Sequence, residues 1–69
     1  MHTKKNYRFD PDNEIGAQKF ADSYKVDGVP PVDTYVRGPF FMDEAVMFKG
    51  IIAPQDAVAY WNVEIEIYS

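Results

Sequence analysis

Cysteine is absent from these 69 residues. That removes disulfides, cysteine-based zinc sites and a thiol nucleophile together. Histidine occurs once, as His2. No His–His metal site can form within the chain, and a catalytic triad would have to draw on that one ring. The glycines stand at 16, 28, 38 and 50, a spacing that makes no phosphate-cradling loop. No apolar run approaches the ~20 residues needed to span a bilayer. The basic start, Met1-His2-Thr3-Lys4-Lys5-Asn6-Tyr7-Arg8, lacks a following apolar region. No signal peptide is therefore expected, and a cytoplasmic location is the expectation. Neither a cofactor nor a metal is expected.

What remains is acidic and aromatic. The net charge is −4, and it is uneven. Residues 1–25 hold five basic and four acidic side chains, whereas residues 26–69 hold two basic and seven acidic ones. Binding to a phosphate backbone runs on clustered Lys and Arg, so direct nucleic-acid binding is not expected. A basic protein partner fits the balance, and so does plain solubility. Aromatic residues make up 16% of the chain. Seating all of them in the core of one small domain is difficult, and a surplus at the surface favours interfaces. A homo-oligomer is one way to cover them.

The chain reads as one domain over residues 1–69, with 1–4 mobile. Lys5–Phe9 alternates, with Tyr7 and Phe9 on one face, and reads as a strand. Asp10 can cap a helix that Pro11 opens and Asp12 and Glu14 favour through its dipole. Ala17, Phe20, Ala21 and Tyr24 then form an apolar stripe at helical spacing. Asp27-Gly28 is expected to stop the helix. Val32–Arg37 reads as a strand, Gly38-Pro39 as a turn, and Asp43 as the cap of a single helical turn. Ala45–Ile52 reads as a strand. Pro54 opens either a second helix as far as Trp61 or a lead into the last strand. There Trp61, Val63, Ile65 and Ile67 alternate with Asn62, Glu64, Glu66 and Tyr68. The expectation is an α+β fold: a single small mixed sheet in the order β-α-β-β-(short α)-β, with one amphipathic helix packed on one face.

Tyr7-Arg8-Phe9-Asp10, the Ala17–Tyr24 helix, Val26-Asp27-Gly28-Val29-Pro30 and Tyr35-Val36-Arg37-Gly38 together resemble the second half of a thioredoxin-like domain. Asp56–Trp61 then looks like that family's closing helix. The resemblance implies a cis peptide bond at Pro30, and makes Pro30 a peptide-docking position. It implies no redox activity here. The Cys-x-x-Cys half is missing, and thiol–disulfide exchange needs a thiolate. The chain also departs from the family at Pro31, where Thr is usual, and at Asp33 and Arg37, in a strand that is normally apolar.

Three carboxylate groupings invite a chemical reading. Asp10, Asp12 and Glu14 begin like an EF-hand loop, but Ile15 and Ala21 stand where Gly and Glu are needed. Helix capping accounts for them. Asp43 with Glu44, or Glu64 with Glu66, could form a paired-carboxylate site, but a solvated sheet face is the simpler account. Phe40, Phe41 and Met42, near Met47 and Phe48, form an apolar cluster. The resulting expectation is a small acidic, non-enzymatic protein that binds a macromolecular partner as inhibitor, adaptor or accessory subunit. Phe40, Phe41, Trp61 and Tyr68 would anchor the partner, and Glu64 and Glu66 would steer it. The alternative is an acidic DNA mimic of the kind that phages use to block nucleic-acid-binding enzymes. It would need Asp33, Asp43, Glu44, Glu64 and Glu66 in a row.

Overall fold

Strict alternation at the end of the chain builds the centre of the sheet. In the computed structural model, which describes residues 1–68, β3 (Ala59–Tyr68) lies between β1 (His2–Phe9) and β2 (Thr34–Asp43). Both pairings are antiparallel. β1 and β2 therefore run in the same direction on either side of β3, and α1 (Glu14–Asp22) makes the crossover between them. The fold is a small α+β structure. All of its sheet is antiparallel.

Register fixes the core. Tyr7 pairs with Val63, Lys5 and Val36 flank Ile65, and Phe9 and Phe41 flank Trp61. The side of the sheet on which these residues lie is the side α1 covers. Ala17, Ala21, Val63 and Ile65 are buried there, packed about by Tyr7, Phe9, Phe20, Tyr24, Val36 and Trp61. Alanine at 17 and 21 lets the helix backbone settle close to the sheet. The Cα atoms span 41 × 27 × 12 Å, a slab one sheet and one helix thick.

The helix starts later than its acidic residues suggest. Asp10 accepts from the Asn13 amide (2.9 Å) in a turn over Pro11 and Asp12, and Asn13 is the cap. Its Oδ1 accepts from the Gly16 N–H at 3.1 Å. A Cβ at Gly16 would fall 2.5–2.8 Å from the Asn13 side chain. Alanine at 16 gains about 1 kcal/mol of helix propensity but displaces a cap worth about 1 kcal/mol. Gly16→Ala alone is expected to shift stability by less than about 0.5 kcal/mol. In an Asn13→Ala background it is expected to stabilise by about 1 kcal/mol. Chemical denaturation of the four proteins reads both values.

The helix also ends earlier, at Asp22, where the Ser23 N–H bonds back to Lys19 and Phe20 and the Ser23 hydroxyl donates to the Phe20 carbonyl. Asp27-Gly28 is not its stop. These residues have φ of 54° and 81° and form a two-residue turn closed by reciprocal Val26–Val29 bonds of 2.8 and 3.1 Å. Positive φ at both central positions is the conformation that Asp-Gly favours. The cis bond implied at Pro30 is not there: among the described residues the cis peptide bond is Gly38–Pro39. The structure shows nothing that identifies a thioredoxin-like half-domain.

Gly38-Pro39 does not turn the chain. β2 continues through it as a bulge, with Gly38 and Pro39 set between the Arg37↔Glu64 and Phe40↔Asn62 pairs. Gly38 has φ 104°, and a Cβ there would come within 2.5 Å of the Asn62 carbonyl oxygen. Ala45–Ile52 is not a strand either. The Asp43 side chain accepts from the Ala45 N–H (3.1 Å) and starts a one-turn helix, α2 (Glu44–Met47). Gly50, at φ 83°, then bends the backbone. Pro54–Asp56 is a single 3-10 turn, and strand geometry takes over from Ala59. Within the 1–4 segment, His2, Thr3 and Lys4 lie in β1 and pair with Tyr68, Ile67 and Glu66.

Candidate functional site

Alternation sends half of each strand to the side that α1 does not cover. β1 places His2, Lys4, Asn6 and Arg8 there. Tyr60, Asn62, Glu64, Glu66 and Tyr68 come from β3, and Tyr35, Arg37, Phe40 and Met42 from β2. Among the described residues no second layer lies over this face, yet Glu66 is only 6% exposed. It is covered by the long side chains of its neighbours.

The cover is a connected network. The Arg37 guanidinium donates to Glu66 at 2.9 Å and to Glu64 at 3.0 Å. Lys4 sits 3.4 Å from Glu64. The His2 Nε2–H and the Tyr68 hydroxyl (3.1 Å) both donate to the second Glu66 oxygen. The His2 ring stacks on Tyr68 with centroids 4.4 Å apart, and Tyr35 meets Tyr68 edge-on at 5.8 Å. Further along, Arg8 lies over Tyr60 at 4.3 Å, and Asn62 donates to Asn6 at 3.0 Å. A cation over an aromatic face at such a distance is attracted by the ring's quadrupole.

This packing inverts the charge presented to solvent. The side chains of Lys4 and Arg37 are 53% and 44% exposed, whereas those of Glu64 and Glu66 are 18% and 9% exposed. Two acids lie against the sheet and a basic, aromatic layer lies over them. The bonds from His2 and then Arg37 hold the Glu66 carboxyl at about 2, well below its ordinary 4.5. The Tyr68 hydroxyl is pushed up chiefly by its bond to that carboxylate, and Arg37 is raised by the same partner. A carboxylate held so low is a weak base and is ionised at neutral pH, the wrong poise for proton transfer. Among the described residues, no three His, Asp or Glu side chains are placed to hold a metal ion.

Because its folded pKa is depressed, Glu66 contributes stability that is complete above 4.5 and is lost as pH falls toward about 2. The difference in urea midpoint between wild type and Glu66→Gln is expected to be widest above about pH 5 and to close near about pH 2. A difference that stays constant with pH would show that the network does not hold the carboxylate.

The expected anchors are divided between two sides. Phe40, Glu64, Glu66 and Tyr68 share the uncovered face, with Phe40 and Tyr68 exposed. Phe41 and Trp61 lie on the helix side, edge-on to each other at 5.1 Å. The Trp61 indole donates to the Pro11 carbonyl (2.9 Å) and ties the β1–α1 turn to the sheet. Pro30 lies in the loop after the Val26–Val29 turn, outside every strand. Sequence reasoning missed His2, Lys4, Arg8, Tyr35, Arg37 and Tyr60. The first half of β1 carries no apolar residue to mark its period, so His2 and Lys4 gave no sign of being paired. The five carboxylates proposed as a row are spread out. Asp33 precedes β2, Asp43 and Glu44 lie at its far end bonded to the Ala45 and Val58 amides, and Glu64 and Glu66 lie beneath basic side chains.

A concavity of about 210 Å³ lies on the helix side, lined by Thr3, Lys5, Tyr7, Tyr24, Ile65 and Ile67. Another, of about 360 Å³, lies in the β2–β3 connection. Among the described residues no helix is long and apolar enough to cross a membrane. No protein-family model matches the chain, and no curated protein or solved structure matches it significantly.

Proposed function

We propose that this is a non-enzymatic binding protein that engages a macromolecular partner through the uncovered face of its sheet, as inhibitor, adaptor or accessory subunit. One observation carries the reading. A sheet face with no second layer presents Arg8, Arg37, Tyr35, Tyr60, Tyr68 and Phe40 over two acids already satisfied from within. Arg and the aromatic residues are the types that dominate interface energetics. The exposed charge of this face is basic, so the partner is a protein that offers carboxylates. Glu64 and Glu66 act as internal struts that hold Arg37 and Lys4 in place, rather than as steering charges. The placement of the carboxylates does not favour the DNA-mimic alternative.

The test is kinetic. After capture of the partner from the native host, association is measured at low and high salt for wild type, Arg8→Glu, Tyr35→Ala and Phe40→Ala. Arg8→Glu is expected to slow association by roughly tenfold at low salt, with the difference fading as salt screens it. Tyr35→Ala and Phe40→Ala are expected to speed dissociation by roughly tenfold or more. Association that quickens on Arg8→Glu would mean a basic partner. Unchanged rates in all three variants would place the binding surface elsewhere.

A further inference from the structure

The segment from Glu44 to Val58 is folded, yet none of its residues is buried. Backbone bonds shape it: Phe48 N–H to Glu44, Ile51 and Ile52 N–H to Phe48, and Glu44 N–H to Val58, at 2.9–3.1 Å. Fixing a residue's backbone costs about 1–2 kcal/mol, and burial within the monomer does not offset that cost here. Most of its apolar side chains face water, with Ile52 and Ala57 half-buried. Val46 is 73% and Ile51 80% exposed, and Met47, Phe48 and Val58 are exposed as well. Phe41, towards the adjoining end of β2, is exposed too.

The area of the whole molecule points the same way. A folded monomer of 7.9 kDa exposes about 4,400 Å², whereas this chain exposes 5039 Å², an excess of about 600 Å². A stable interface buries about 800 Å² on each partner. The excess is of the size of one partner's share, and the lobe and the uncovered sheet face both contribute to it.

The lobe carries both halves of a self-complementary contact. The α2 turn projects Val46 and Met47. Beside it lies the concavity of about 360 Å³ lined by Ala45 and by residues 49 to 54. Lys49 and Asp56, opposite in charge, have no ion pair within the chain among the described residues. In a twofold contact, what one copy offers at one residue the other receives at its mate, so both halves are used twice. We propose that the lobe is the seat of a second copy of this chain, in a twofold dimer that inserts α2 of each copy into the concavity of the other and pairs Lys49 with Asp56 across the interface. The lobe belongs to the β2–β3 connection, apart from the strand residues of the uncovered face.

Light scattering from about 1 µM to about 1 mM protein reads the mass directly, a span that brackets a standard-size interface of modest affinity. Wild type is expected to approach twice 7.9 kDa. Val46→Asp and Ile51→Asp should each return the mass to that of one chain with an unchanged far-UV spectrum, because both side chains are largely exposed. Tyr35→Ala, on the sheet face, should leave the dimer intact. Lys49→Asp and Asp56→Lys should each weaken the dimer alone and form a mixed dimer when combined. A wild-type mass of one chain throughout would overturn the proposal. So would a dimer that survives both aspartate variants, or one lost with Tyr35→Ala.

Discussion

Phe20→Ala is expected to remove about 3 kcal/mol of folding free energy. The ring stands at the middle of the helix stripe, with Tyr7, Phe9 and Tyr24 at 4.7, 5.5 and 5.4 Å between centroids. Truncating a buried phenylalanine typically costs about 3–5 kcal/mol. Phe20 is half-buried, which sets the expectation at the low end. A core in a domain of this size supplies only ~3–5 kcal/mol in total. The variant should therefore be largely unfolded at 25 °C, with loss of the near-UV aromatic signal and no cooperative urea transition. Protein concentration must be held fixed, because dimer formation would itself shift the midpoint. A loss smaller than about 1 kcal/mol would mean that the ring cluster is not what holds α1 to the sheet.

Ala21→Leu is expected to be almost as damaging for the opposite reason. Ala21 and Ala17 are both fully buried where α1 meets Val63 and Ile65. There is no room for three further carbons unless the helix lifts away. Overpacking of this kind costs typically about 1–3 kcal/mol. It should lower the urea midpoint without changing the slope, provided the lifted helix stays folded. A conservative partner, Ala21→Gly, should also destabilise, by about 1 kcal/mol through helix propensity alone. If Leu proved neutral while Gly did not, the helix–sheet contact would be looser than the buried alanines imply.

These two effects rest on features that the sequence displayed openly. The i, i+3, i+4, i+7 stripe of Ala17, Phe20, Ala21 and Tyr24 is local information, and the structure uses it to bury α1 on β3. Asp43 read as a one-turn cap and is one. The punctuation was harder. Gly38-Pro39 looked like a turn, but whether Gly-Pro ends a strand depends on what lies across from it. Phe40–Asp43 find Asn62–Ala59 waiting as partners, so the chain bulges and goes on. Ala45–Ile52 had strand-like composition, and the Asp43 cap with positive φ at Gly50 overrode it.

The candidate site was legible only in part. Glu64, Glu66 and Tyr68 were placed on one face by period alone, and that placement is observed. Their surroundings were not. Phe40 and Phe41 are neighbours in sequence and lie on opposite faces, so a cluster in the chain is not a cluster in space.

By itself the sequence determined the absence of cysteine chemistry, the helix stripe, the two-residue period of β3 and the acidic balance of the chain. Each follows from composition or from contacts a few residues apart. Only the tertiary structure decided that Glu64 and Glu66 lie beneath Arg37, Lys4 and His2, and so that this acidic chain offers a basic, aromatic face. The bonds responsible join residues 27 to 64 positions apart. They depend on the register of two long-range antiparallel pairings, which no local pattern encodes.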